Sequence, residues 1–433
     1  KTSSAMYPFS KQLLKYKSNN NKEKLGMLIL DVKGNYLFQI KKYAEQYNRT
    51  QDLIIIGLDN KIKYNPLDKP NLKPIVLANR LKTILTLFSP NNSESYWLDK
   101  VEQVLTECIK LCRLYNNGYV TFTELHKLIT IPYYYKEKIS VLKEKFISNL
   151  FSKEDIHNLL SSLEFFEKEF NSLDSRTLSI LKSEITRITN CFVSDYNIQN
   201  TFCPLKEDLN FNGFEDVINN GKIVILNMNI SEYRNLSKIM AAYLKLDFQT
   251  EVMSRLAHNH SNFLRSVAFI SDEYHEYVTD TDAAFFAQSR EAKCINIVAT
   301  QSYTSLMSTI NNQYIVKAIV QNLINKFWFR TDDLFTVEDA QKQIGKEEKN
   351  KVSFGFSENS SDSHSNFIDA IYSHKTSSSE SINKYTQLDY VFDTNTFTRE
   401  LETFSCITFL SDGQKILPIK KLNLIPYYIL DKN

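Results

Sequence analysis

Two textures of apolar spacing alternate along the chain. Short, nearly continuous apolar runs occur at Met27–Leu30, Leu53–Leu58, Ile223–Leu226 and Val267–Ile270, and a β-branched run at Ile295, Ile297 and Val298. Runs this short, bounded by polar residues, predict fully buried strands of a parallel sheet. Around them, Ala5, Met6, Phe9, Leu13 and Leu14, and later Leu236–Leu256, repeat at helical spacing. Pro8 falls inside the first of these helices and is expected to kink it, because it lacks a backbone donor. A second texture fills Tyr96 to about Thr201. There Trp97, Val101, Val104, Leu105, Cys108, Leu111 and Tyr115 recur at three and four residues, as do Leu159, Leu163 and Phe166, and then Leu178, Leu181, Ile185 and Ile188. This predicts a set of amphipathic helices, with Tyr119–Phe122 as an ambiguous, strand-like stretch.

The order of these textures predicts an α/β fold interrupted by an all-α insertion, divided as residues 1–94, 95–205 and 206–433. The inserted segment is expected to fold on its own and to carry substrate specificity, since its helices have apolar faces of their own. Toward the end, Lys326–Asp333 predicts a strand with a charged mouth. Ser353–Lys384, rich in Ser and Asn, predicts a flexible loop or lobe. Ser405–Phe409, the Asp412-Gly413 turn and Lys415–Pro418 predict a hairpin.

Candidate chemistry collects where the apolar runs stop. Val267–Ile270 ends in Asp272 and Glu273, and the Ile295–Val298 run ends in Thr300 and Gln301. Both ends fall at the carboxyl edge of a parallel sheet, where open α/β sheets bind ligands. Phosphoryl transfer needs one carboxylate to hold Mg²⁺ and a second group to orient or deprotonate the attacking water. Asp272 suits the first role, Glu273 the second, and the Gln301 amide can sense a terminal phosphate. The plainer alternative is that Asp272 and Glu273 cap the helix that follows. The chain opens on Lys1-Thr2, the closing pair of a phosphate-binding loop of the form G-x-x-x-x-G-K-[ST], whose glycines would lie upstream. Residues 1–433 alone are therefore expected to bind ATP weakly. The Met27–Leu30 strand ends in Asp31, with Lys33 and Gly34 at its mouth.

With 433 residues and 42% hydrophobic content the chain can bury a sizeable core. A net charge of +2 provides no strong basic field, so contact with nucleic acid would be local or shared among subunits. Six cysteines without a pairing pattern fit a reducing compartment and exclude a disulfide scaffold. Cys108 and Cys112, one helical turn apart among apolar residues, suit core packing better than a metal. His258 and His260 are expected in a solvated polar loop. No apolar run reaches the ~20 residues that cross a bilayer. Because the first residue is Lys1, a fragment or processed product with a membrane segment upstream remains consistent with the sequence.

Taken in order, Lys1-Thr2, Asp31 to Gly34 (with Leu30 before them), Tyr64-Asn65-Pro66-Leu67-Asp68, Asp272-Glu273-Tyr274, Ser289-Arg290-Glu291-Ala292-Lys293 and Ala299-Thr300-Gln301-Ser302 resemble the type IV secretion coupling proteins, the TraD/TraG type of conjugative DNA-transfer ATPases. The resemblance covers most of the chain, including the all-α insertion. It implies a RecA-like P-loop motor domain acting on ATP and Mg²⁺. It further implies nucleotide binding by Lys1, Thr2, Asp31 and Lys33, metal binding by Thr2 and Asp272, and catalysis by Glu273 and Gln301. Arg290 is implied to reach the nucleotide of a neighbouring subunit. The implied partners are DNA with its relaxase, the secretion channel, and five further copies in a hexameric ring on the cytoplasmic side of the bacterial inner membrane. The alternatives are a related ring ATPase, either a FtsK/HerA-like DNA translocase or a secretion-assembly ATPase, and a catalytically dead interaction protein.

Overall fold

A computed structural model of the chain describes residues 1–59, 61–88, 95–147, 151–211, 213–257, 265–362 and 374–431. His258 and His260 lie outside the described residues. The predicted runs form β1 (Gly26–Leu30), β2 (Leu53–Ile56), β3 (Ile223–Leu226), β4 (Val267–Ser271) and β5 (Cys294–Val298), a parallel sheet of order β2-β3-β1-β4-β5. The second strand ends sooner than the sequence suggested, before Gly57. Side-chain alternation splits the buried strands between two cores. Met27, Ile29, Ile223, Ile225, Ala268 and Ile270 face one layer of helices, and Leu28, Leu30, Val224, Leu226, Val267 and Phe269 face another. Such two-sided burial explains why these runs are continuous rather than alternating.

The first layer holds α1 (Tyr7–Lys15) and α2 (Tyr36–Gln46). A π-helical turn, Thr2–Met6, leads into α1, and Pro8 takes a first-turn position there. Met6 and Tyr7 are themselves helical, so Pro8 stands where the π-helical turn passes into α1, and the change of register there accommodates its missing backbone donor. On the other side lie α3 (Pro74–Thr86), α4 (Ser95–Tyr115), α5 (Phe122–Thr130), α6 (Tyr134–Ile147), α7 (Lys153–Glu164), α8 (Ser175–Val193) and α9 (Tyr196–Phe202), followed by α10 (Glu215–Asn220). Phe122 opens a helix rather than ending a strand. Thr121 caps it by accepting from the Glu124 amide, the side-chain device that starts helices. The apolar faces of α4, α5 and α8 share one continuous core with the sheet.

Between sheet and helical layer runs α11 (Ile230–Ala257), whose residues 236–249 are buried except for Lys238. α12 (Asp282–Gln288) connects β4 to β5, and α13 (Tyr303–Thr309) and α14 (Gln313–Asn322) follow β5.

Residues 325–423 form a separate compact unit, which the three-part division of the sequence did not separate. Its sheet joins β6 (Lys326–Phe329) to later strands, and α15 (Leu334–Ile344) packs on it through Val337 and Ala340. β7 (Lys346–Asp362) and β8 (His374–Tyr390) form a two-stranded antiparallel ribbon. The flexible loop expected from the Ser and Asn content is thus corrected, with residues 363–373 outside the described residues. Period-two placement of Val352, Phe354 and Phe356, opposite Lys384, Ile382 and Glu380, is the strand signal that composition concealed. β9 (Ser405–Phe409) pairs with β10 (Lys420–Asn423), so the second arm of the final hairpin lies beyond Lys415–Pro418. The chain then returns to the first unit with α16 (Tyr427–Leu430).

Candidate active site

All the predicted site residues except Arg290 meet at the carboxyl edge of the parallel sheet, around β1, β4 and β5. Chain direction places them there: Asp31 and Lys33 follow β1, Asp272 and Glu273 follow β4, and Gln301 follows β5. Lys1 and Thr2 arrive at the same edge as the start of the helical segment that leads into α1.

Thr2 Oγ1 donates to Asp272 Oδ2 at 2.8 Å, a contact between residues 270 positions apart. Lys1 Nζ donates to the carbonyls of Thr300 (2.6 Å) and Gln301 (3.2 Å), which places it beside the end of β5. Lys33 Nζ donates to Glu273 Oε1 at 2.6 Å. Asp31 is buried, and its oxygens accept from the amides of Lys33 and Tyr36, both at 3.0 Å. Its carboxylate therefore shapes the turn that presents Lys33. Gly34 supplies the left-handed step this turn requires, with φ 76°.

The electrostatics separate the two carboxylates. Burial pushes Asp272 above the ordinary carboxylate range, with Glu273 and Asp31 adding to the effect against the Thr2 hydrogen bond. Burial alone would also raise Glu273, but the bond and charge of Lys33, helped by His275 and Lys1, outweigh it and hold the group below its usual value. Glu273 also sits at φ 49°, ψ 45°, a left-handed conformation that a non-glycine residue adopts at a cost of roughly 1–2 kcal/mol. Gln301 is exposed. Arg290 lies elsewhere. It stands in the turn before β5, whose first residue Cys294 pairs with Val267 at the start of β4, so it occupies the amino edge of the sheet. It is exposed, and among the described residues its guanidinium has no ion-pair partner.

The residues present fit a magnesium nucleotide. Mg²⁺ is usually held by one or two protein oxygens with phosphate and water completing the shell. Thr2 and Asp272 bring such a pair together, and among the described residues no cluster of three or more His, Cys, Asp or Glu offers an all-protein cage. No side chain caps the amides that open at Thr2, and the buried Ser4 hydroxyl has no hydrogen-bond partner among the described residues. Free helix-start amides suit an anion. Sequence reasoning missed two neighbours: His275, whose Nδ1 lies 3.8 Å from Glu273 Oε2, and Tyr277, which with the motif's Tyr274 ties this segment to the interior. Their placement in the Asp-Glu motif was the available signal.

No protein-family model matches the chain, and no curated protein matches it. Among solved structures it is similar to the bacterial conjugative coupling protein TrwBdeltaN70 in an unbound form, with 11% identity, a TM-score of 0.55, and coverage of 97% of this chain and 92% of that one. Plasmid coupling protein TrwB in complex with ADP and Mg²⁺ gives 11% identity and a TM-score of 0.58 at 97% and 92% coverage. The complex of TrwB with the ATP analogue ADPNP gives 12% identity and a TM-score of 0.56 over the same shares. The chain thus has the RecA-like α/β fold with a helical region seen in those proteins.

Proposed function

We propose that this chain is the ATP-hydrolysing motor of a conjugative coupling protein, which recruits DNA with its relaxase and passes it to a type IV secretion channel. The observation that carries the reading is the junction of Thr2 with Asp272 next to the Lys33–Glu273 pair, at the sheet edge where nucleotides bind. The similarity to TrwB structures that hold ADP with Mg²⁺ or an ATP analogue supports it.

Bound Mg²⁺ would neutralise charge on the phosphates. The protein's part is positional. Lys1 and the helix-start amides hold phosphate oxygens, Thr2 and Asp272 supply metal ligands, and Lys33 lies within reach of the terminal phosphate. Glu273 accepts a proton from the attacking water at a carboxylate oxygen, and the Gln301 amide registers the terminal phosphate. Arg290, solvent-exposed and at the opposite edge of the sheet from Glu273, is assigned to a nucleotide held by another copy in a hexameric ring. Among the described residues no helix is long and apolar enough to cross a membrane.

In the complete protein, Glu273→Gln should abolish ATP turnover while leaving ATP affinity nearly intact, because the amide keeps the shape but cannot take a proton. Asp272→Asn should weaken Mg²⁺-dependent binding instead. Equal loss of binding in both variants would remove the assignment of separate roles.

A further inference from the structure

Within the buried stretch of α11, the charged side chains fully enclosed are Lys245 and Asp247. Lys245 Nζ lies 2.6 Å from Asp282 Oδ2, and the side chains of both are wholly excluded from solvent. The ammonium uses its other hydrogens on the Tyr277 carbonyl and Thr279 Oγ1, both at 2.8 Å. Asp282 is equally saturated. Its Oδ2 also accepts from the Tyr274 hydroxyl and the Thr279 amide (3.0 Å), and its Oδ1 accepts from Gln249 Nε2 (2.8 Å). Tyr277 completes the frame, its hydroxyl donating to the Asp272 carbonyl at 2.7 Å. Every group that Lys245 and Asp282 hold, Gln249 apart, belongs to the segment that begins directly after the Asp272-Glu273 pair. On another side of the same helix, Asp247 pairs with Lys69 (2.6 Å) and Arg80 (3.0 Å) and accepts from the Tyr64 hydroxyl (3.1 Å).

A buried ion pair is weak evidence for stability, since desolvation of the two charges offsets their attraction, and apolar replacements are often as stable. What such a pair does supply is a unique geometry. The segment it holds needs one, because Glu273 rests in a left-handed conformation that a free loop would leave.

We propose that Lys245 and Asp282 are positioning residues, which lock residues 273–282 onto α11 and so hold the Glu273 carboxylate in its working orientation. This rests on the reading of Glu273 as the proton acceptor. Because Asp247 fastens α11 to residues 64–80, the lock also joins the carboxylate segment to the helical layer.

The test replaces both charges together, Lys245→Met with Asp282→Leu, in the whole protein, so that no lone buried charge remains. The melting temperature should fall, because the Tyr274 hydroxyl, the Thr279 amide and Gln249 Nε2 lose their acceptor, and kinetics are read on the variant once circular dichroism shows it folded. ATP affinity should change less than about threefold, whereas kcat should fall on the order of 10²-fold, the cost of a misplacement near 1 Å. Backbone amides of residues 274–282 should exchange with solvent about tenfold faster, while those of β1 and β4 keep their protection. Should the double variant not fold, Tyr274→Phe removes a single hydroxyl from Asp282 and keeps the ring. Its kcat should fall at least about threefold at unchanged KM. A folded variant with full kcat, or with unchanged exchange across 274–282, overturns the proposal. A wild-type protein that binds and hydrolyses no ATP would instead overturn the ATPase reading, and the exchange measurement would still decide the lock.

Discussion

Replacing Lys33 with methionine removes the 2.6 Å ion pair made to the proposed proton acceptor. The Lys33 side chain is 53% exposed and that of Glu273 is 14% exposed, so the pair is solvent-screened and should contribute no more than about 1 kcal/mol to stability. A charge-assisted contact between Lys33 and a phosphate oxygen would contribute roughly 1.5–3 kcal/mol. Forming it surrenders the bond to Glu273, which leaves a net gain of about 0.5–2 kcal/mol, or roughly 2- to 30-fold in affinity at 1.4 kcal/mol per tenfold. Lys33→Met should therefore weaken ATP binding within that range, measured by calorimetry. The variant should also change the pH profile. Lys33 holds Glu273 below the ordinary carboxylate range, so the pair contributes stability above that range and loses it as pH falls through the lowered value. Without Lys33, burial dominates and Glu273 titrates higher. The acid limb of kcat/KM should then move to higher pH, and the melting temperature should lose part of its decline on acidification. Unchanged ATP affinity together with an unmoved acid limb would refute the argument, since no role for Lys33 at the site would be left.

Asp272→Asn should raise the melting temperature measured without metal at neutral pH. Burial disfavours the ionised carboxylate, whose raised value means the folded state gains stability below the ordinary range and loses it as pH rises, and the amide removes that loss; a lower melting temperature would contradict this. Residues 95–202 cut from the chain should be folded less stably than in place, because Phe122 and Ile188 belong to the core shared with β1 and α11, and Phe122 stands 6.4 Å from the Tyr243 ring. Native-like thermal stability of the excised segment by circular dichroism would favour the independent domain expected from sequence. Arg290→Ala should reduce turnover on the order of 10³-fold while sparing ATP binding. Mixed with inactive Glu273→Gln subunits, it should recover partial activity, and a mixture that forms rings but stays inactive would exclude action across the interface.

The sheet was legible because burial on both faces removes the need for alternation, so β1, β3 and β4 stand out as unbroken apolar runs. The helices from Ser95 to Phe202 were legible for the complementary reason: each buries one stripe and leaves the spacing visible. The ribbon of β7 and β8 was hidden because its exposed Ser and Asn residues carry no burial signal, and only Val352, Phe354 and Phe356 mark the period. At the site, Asp272 and Glu273 could be read from their position after an apolar run. The Thr2 contact, the Lys33 bridge and the Lys245–Asp282 lock could not, because they join residues far apart in sequence. Lys245 in particular looks like any lysine on a helix until residues 239–249 of α11 are seen to be buried.

That enclosure bears on the plainer reading, in which Asp272 and Glu273 cap a helix. Glu273 does occupy the cap position of the short turn Tyr274–Glu276, yet no side-chain cap bond is made there. Among the described residues Asp272 Oδ1 accepts from the neighbouring Glu273 amide at 3.1 Å, while Oδ2 accepts from Thr2, 270 positions away in the sequence. A capping pair would relax the backbone and satisfy helix-start amides. Here the backbone is held in a left-handed step, with Tyr274 N drawn to the Ala299 carbonyl at 2.8 Å and both tyrosine hydroxyls fixed from below. A conformation costing roughly 1–3 kcal/mol persists only where its surroundings over-determine it. The surroundings that do so are buried charges that make little net contribution to stability. Strain maintained by a network of that kind, with one carboxylate buried against a hydroxyl and the other turned toward a lysine, supports the proposed reaction site over a plain helix cap.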